Sequence, residues 1–139
     1  MALIGDTGNG ATLTCATSSL SLAITQLQIG EQSIDMLDVS TLATTSDQEM
    51  VASDLKKTQE VTGTAIYVGS ATLPVVGAVA ETMTITFPLF AGTTTAANLA
   101  GTAQFTSSKL PDISNGNIMM YQFKFKYNGD TGPTYTKAT

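Results

Sequence analysis

Residues 119–127 constrain the fold more than any other stretch of this sequence. Their odd positions read Met119, Tyr121, Phe123, Phe125 and Tyr127, and from Gln122 the even positions read Gln122, Lys124 and Lys126. A period of two is the signature of a β-strand with one apolar and one polar face. Each aromatic carries about 150–250 Å² of buriable surface, so any fold of this chain must cover that face. Asn128, Gly129 and Asp130 follow the run and tolerate the backbone of a tight turn.

The rest of the chain repeats this pattern at lower contrast. Residues 11–16 are strand-like. Residues 20–29 place Leu20, Leu22 and Ile24 on one face but Leu27 and Ile29 on the other, and this change of parity near Thr25 and Gln26 predicts a β-bulge. Residues 59–68 carry Val61, Gly63, Ala65 and Tyr67 on one side and Thr62, Thr64, Ile66 and Val68 on the other, which suits a strand with protein on both sides. In residues 81–87, Met83, Ile85 and Phe87 alternate with threonines, and residues 99–108 resume the alternation through Ala103 and Phe105. Gly, Pro and Asn punctuate these runs. The expectation is a single, mainly β domain over residues 1–139: a β-sandwich or rolled β-barrel of six or seven strands. Residues 1–10 read as a flexible arm and 131–139 as a mobile tail.

One segment departs from this pattern. Residues 41–57 form either one short helix or a long loop. Ser46 and Glu49 have capping-box spacing and Lys56-Lys57 would complement a helix C-terminus, but Met50, Val51 and Leu55 make only a thin apolar stripe. A loop of that length in a small domain is usually either functional or disordered.

Charge narrows the functions open to the chain. Only 12% of residues are charged, against roughly 25–35% on the surface of a free-standing small domain. Such a surface suits either a plain β domain or one covered by copies of itself. The net charge is −5 and every one of the six cations is lysine. Without arginine forks or a basic stripe, tight nucleic-acid binding is not expected. No apolar run approaches the length of a membrane span and the N-terminus has no secretory pattern, so cytoplasmic synthesis without membrane insertion is expected.

Catalytic chemistry finds little support. There is no histidine, and Cys15 is the lone cysteine, which excludes an intramolecular disulfide and a thiolate zinc site. Cys15 lies in a strand-like run and reads as a small apolar residue. Asp35 and Asp38 are three apart, which on a strand sends them to opposite faces, so turn capping or backbone pairing suits them better than acid-base work. Gly8-Asn9-Gly10 is followed by neither a Lys-Ser/Thr pair nor a helix and reads as a turn. No catalytic residue, cofactor or metal is expected. Carbohydrate binding is disfavoured because the aromatics are spaced for a core and there is no tryptophan.

In the order of its features the sequence resembles the major tail tube proteins of tailed bacteriophages. The resemblance is carried by Ser33-Ile34-Asp35-Met36-Leu37-Asp38-Val39-Ser40-Thr41-Leu42, by Ser53-Asp54-Leu55-Lys56-Lys57 followed by Glu60-Val61-Thr62, by Thr84-Ile85-Thr86-Phe87-Pro88, and by the final strand of residues 117–129. It departs from the family between Tyr67 and Glu81, where many members carry a helix and Gly69, Pro74 and Gly77 oppose one here. The resemblance implies a structural virion protein, not an enzyme, assembled in the host cytoplasm into stacked hexameric rings that form a hollow tube. Its partners would be further copies of itself, the tape-measure protein and other tail proteins, with DNA passing through but not specifically bound. A head decoration or head-to-tail connector subunit is the alternative. Under this resemblance Asp35, Asp38, Asp54, Leu55, Lys56, Lys57, Lys124 and Lys126 are candidates for subunit or ring contacts, and Glu60 and Glu81 for facing the lumen.

Overall fold

The computed structural model describes residues 8–17, 23–129 and 132–139. Residues 1–7 of the expected N-terminal arm, Leu20 and Leu22 of the expected second strand, and residue 131 of the expected tail lie outside them.

The described residues contain nine strands and no helix: β1 (Thr12–Cys15), β2 (Ala23–Ile29), β3 (Ser33–Asp38), β4 (Met50–Lys57), β5 (Glu60–Ile66), β6 (Glu81–Thr86), β7 (Asn98–Lys109), β8 (Met120–Tyr127) and β9 (Thr134–Thr136). Seven form one sheet in the order β1-β6-β7-β8-β5-β2, with β9 paired to β7, while β3 and β4 form a separate two-stranded ribbon. Every pairing is antiparallel.

The strand that dominates the sequence lies inside this sheet, between β7 and β5. Its odd residues Tyr121, Phe123, Phe125 and Tyr127 are all buried, and Gln122, Lys124 and Lys126 are exposed. The rings of Tyr121, Phe123 and Phe125 stack along the strand, and Phe105 of β7 meets Phe123 and Phe125 edge-on with centroids 6.1 and 5.9 Å away. Offset stacking and edge-to-face packing are the arrangements the ring quadrupole favours. Gly63 of β5 lies opposite Phe123, and a Cβ there would stand 2.2 Å from the ring. Glycine is therefore required so that the ring can lie over the backbone of β5.

The sheet rolls so that its inner face closes on itself. Met83 and Ile85 of β6, Leu99 and Ala103 of β7 and Val61 of β5 join the aromatics in one core, flanked by Leu13, Cys15, Ile24, Leu27 and Ile29 from the two edge strands. The Tyr127 hydroxyl donates to the Met83 carbonyl at 3.3 Å, giving its buried polar end a partner. The roll stays open: β1 and β2 are not paired, and a cleft of about 440 Å³ lies between β2 and the end of β6, lined by Ala11, Ile24, Thr25, Leu27, Ile85 and Phe87. The architecture is a rolled, open barrel.

Two sequence expectations change and two hold. The bulge in β2 falls where the parity predicts, between Ile24 and Gln26. Residues 50–57, part of the segment expected to be helix or loop, are instead strand β4, because their backbone pairs with β3. The tail is partly ordered as well: β9 pairs with β7 from Asn98 to Ala100, and Tyr135 meets Phe87 edge-on at 6.3 Å. Between Tyr67 and Glu81 the chain has turns and no helix, with Gly77 at φ 77°, as its Gly and Pro content predicts.

Candidate assembly surfaces

The β3–β4 ribbon is an excursion between β2 and β5, which are themselves neighbours in the sheet. Its root is fixed where the Gly30 amide donates to the Glu60 carbonyl at 2.8 Å. Beyond that root, β3 and β4 pack only on each other among the described strands. A lone two-stranded hairpin is marginally stable in water, so this arm needs internal fastening and a further surface to lie on.

The internal fastening is polar and sits at the far end. Asp38 accepts from the Ser40 amide at 2.8 Å and from Gln48 Nε2 at 2.6 Å. The Ser40 amide, and after it Gln48, hold the Asp38 carboxyl below the usual carboxylate range. Ser40 Oγ in turn accepts from the Glu49 amide at 2.7 Å, and the Val39 amide donates to the Glu49 carbonyl at 2.9 Å. Glu49, expected as the third residue of a capping box, thus serves the turn through its backbone. Near the root Lys57 pairs with Asp35 at 3.3 Å, both well exposed, where screening leaves such a pair worth at most about 1 kcal/mol.

The arm's apolar side chains are open on both faces. Met36 stands opposite Ala52 and Asp38 opposite Met50, while Leu37 opposite Val51 faces the other way. Met36, Leu37, Met50 and Val51 are each about half exposed, and Leu42 at the tip is fully exposed. Exposed apolar side chains on both faces of a ribbon suit a surface that a partner covers. Asp54, Leu55 and Lys56 of the candidate set are likewise exposed on the arm.

A second surface is the outer face of the rolled sheet. Cross-strand partners share a face, so Glu60 opposite Lys126, Thr62 opposite Lys124 and Thr64 opposite Gln122 project together. Lys109 belongs to the same face, opposite Gln122. Glu60, a candidate for the lumen, and Lys124 and Lys126, candidates for subunit contacts, thus share one face of the sheet. Farther round the sheet, Thr12, Thr14, Thr82, Thr84, Thr86 and Thr102 give the outer face of β1, β6 and β7 an uncharged, threonine-rich surface.

Glu81 is corrected outright. It begins β6 on the core side, is only 9% exposed, and its carboxylate accepts from the Thr17 amide at 3.0 Å and from the Thr17 hydroxyl. It fastens the exit of β1 and lines no wall. Beside it Cys15 is half-buried, and desolvation, followed by the Glu81 charge, pushes its thiol up to about 11. That is the opposite of an activated nucleophile. Among the described residues there is no group of three or more His, Cys, Asp or Glu placed to hold a metal, and no helix long and apolar enough to cross a membrane.

The fold was compared with known proteins. A sheath/tube terminator of a PVC extracellular contractile injection system, in the extended state, superposes with a TM-score of 0.75 at 10% identity, over 98% of this chain and 99% of that one. The fold is tail-tube-like. The cap terminating the tube of the anti-feeding prophage agrees almost as well, with a TM-score of 0.74 at 12% identity over 99% and 95% of the two chains. A chain in the tail of an empty gene transfer agent particle, refined with C6 helical symmetry, gives 0.59 at 12% identity over 83% of each. No protein-family model and no curated protein matches the chain. The tail-tube-like fold is therefore recognisable through backbone geometry at identities where residue roles do not transfer.

Sequence reasoning overlooked Lys109, Leu110 and Ile118, which lie beside the start of β8. The one available signal was the run Ile118-Met119-Met120, where three apolar residues precede the strict alternation.

Proposed function

We propose that the chain is a non-enzymatic structural subunit of a phage-like tail, assembled in the host cytoplasm, that associates with copies of itself into hexameric rings and stacks them around a channel for DNA. The observation that carries this reading is agreement over nearly the whole chain with proteins that terminate tail tubes. The low charge and the unpartnered apolar arm support it, since both suit a subunit whose surface is covered by neighbours. Tape-measure and other tail proteins are the further partners. The threonine-rich outer face of β1 and β6, which lacks cations that would hold phosphates, is the wall best suited to passing DNA.

A second reading is favoured by the same superpositions: the subunit forms the ring that closes a tube instead of the tube itself. The terminating proteins superpose with TM-scores of 0.74 and 0.75, the gene transfer agent chains with 0.59 and 0.64. Negative-stain microscopy of the purified protein distinguishes the readings. Long hollow cylinders are the expected result, and isolated rings favour the terminator. Trimers would support a head decoration protein, and a protein monomeric at all concentrations would refute self-assembly.

A further inference from the structure

The arm is acidic, and a groove on the outer face of β7 and β8 lies at the other end of the sheet from its root. Between its strands and tip the arm holds Asp35, Asp38, Asp47, Glu49 and Asp54 against only Lys56 and Lys57. Three of the four remaining lysines are Lys109, Lys124 and Lys126, all on one face of β7 and β8. At the start of β8 that face opens into a groove of about 230 Å³ lined by Lys109, Leu110, Ile118, Met120 and Gln122, with Asp112 also on its lining. Leu110 and Ile118 are largely exposed there. The arm thus offers apolar side chains among carboxylates, and the groove offers apolar side chains beside Lys109, with Lys124 next along the face from Gln122.

Within one copy the two do not meet. The arm springs from the end of the sheet where Glu60 pairs with Lys126, and the groove lies where Ile66 pairs with Met120. Those two ends are about 20 Å apart along β8, and neither β3 nor β4 packs on another described strand.

We propose that the acidic arm of one copy seats in the Lys109–Ile118–Met120 groove of a second copy. The proposal rests on the self-assembly reading and names the two surfaces that meet. Because donor and acceptor are different patches, the contact is heterologous and repeats from copy to copy, closing into a ring or running on as a stack according to the rotation it imposes. The carboxylates and lysines set the partner and register, and the apolar side chains lose the water that the free monomer leaves on them. Since a ribbon with apolar residues on both faces is only half covered by one groove, its second face remains available to the copy adjoining the acceptor.

The test is charge reversal with exchange. Full-length protein carrying Glu49→Lys and Asp54→Lys, and separately protein carrying Lys109→Glu and Lys124→Glu, are compared with wild type by sedimentation velocity and negative-stain microscopy, with circular dichroism confirming that each is folded. All four positions are on the surface, outside the core. Each variant alone is expected to need at least about tenfold more protein to assemble. An equimolar mixture is expected to assemble like wild type, because the reversed arm of one variant matches the reversed groove of the other and the two unreversed surfaces match as well. Assembly of either variant at wild-type concentration, or a mixture as inert as its parts, overturns the docking. Wild-type protein that assembles while the exchange fails leaves the self-assembly reading standing and removes this contact, whereas wild-type protein that never assembles removes both.

Discussion

Phe123 and Gly63 show how tightly single residues are specified. The Phe123 ring is 1% exposed and fills the space that a side chain at Gly63 would need. Replacing Phe123 with Ala is expected to cost about 3–5 kcal/mol, and Gly63→Ala about 1–3 kcal/mol through overpacking. Chemical unfolding of the two variants measures both losses, and an unchanged midpoint for Gly63→Ala would show that the ring has room to move. Cys15 and Tyr127 make a different prediction. Burial, ahead of the charges nearby, raises the Cys15 thiol from 9.0 to about 11 and the Tyr127 hydroxyl from 10.0 to about 12. Both groups hold their protons more tightly folded than unfolded, so the stability this represents is full below the unfolded values and is lost as pH rises through the folded ones. Stability should therefore fall on the alkaline side, and Cys15→Ala should flatten the part of that fall between pH 9.0 and about 11. Thiol-reactive dye should label Cys15 far more slowly in native than in unfolded protein at neutral pH. Asp38 behaves in the opposite sense: its lowered pKa gives the turn stability that is present above the ordinary carboxylate range and lost as pH falls through the folded value.

Among the elements, β8 and the β3–β4 arm represent two extremes. In β8 the sequence pattern, the register with both neighbours and the aromatic stacking all specify the same strand, which is the internal consistency that makes an element robust. The arm has a turn fastened by Asp38, Ser40 and Gln48 but no core of its own. Replacing residues 40–48 with a short turn is expected to leave the melting transition of the barrel nearly unchanged, within about 0.5 kcal/mol, and to abolish assembly. Calorimetry and microscopy on the same sample test this, and normal assemblies from the shortened protein would remove the arm from the interface.

For the whole molecule, the open roll and the low charge belong together. An edge strand with free backbone groups is a hazard in a monomer unless something covers it, and here β1 and β2 end the sheet while the surface has few charges to keep copies apart. Association is thus expected to be a property of the purified protein, and its critical concentration should rise with ionic strength if the lysine-bearing face takes part. Neither the monomer nor its assemblies should retard duplex DNA at physiological salt, because six scattered lysines make no continuous phosphate track. Retardation that disappears at high salt would count against the chain being a passive conduit.

By itself the sequence determined the elements whose side chains alternate. Residues 119–127, the Met83–Ile85 row and the bulge near Thr25 were legible because a strand in a half-buried sheet imposes a period of two and any break in parity must appear in the backbone. The likeness to tail tube proteins was legible for the same reason, as an order of such runs. What only the tertiary structure decided were facts of pairing between distant residues. Ser46 and Glu49 have helical spacing, but the backbone hydrogen bonds of β4 go to β3, and local propensity yields to such partners. Glu60 and Glu81 look alike in sequence; one stands beside Lys126 on the outer face and the other is turned inward under Thr17, because the face on which a residue projects is set by the register of its strand against its neighbours. The separation of the acidic arm from the groove beside Lys109 likewise follows from topology, which carries β3 and β4 away from one end of the sheet and leaves Lys109 and Ile118 at the other.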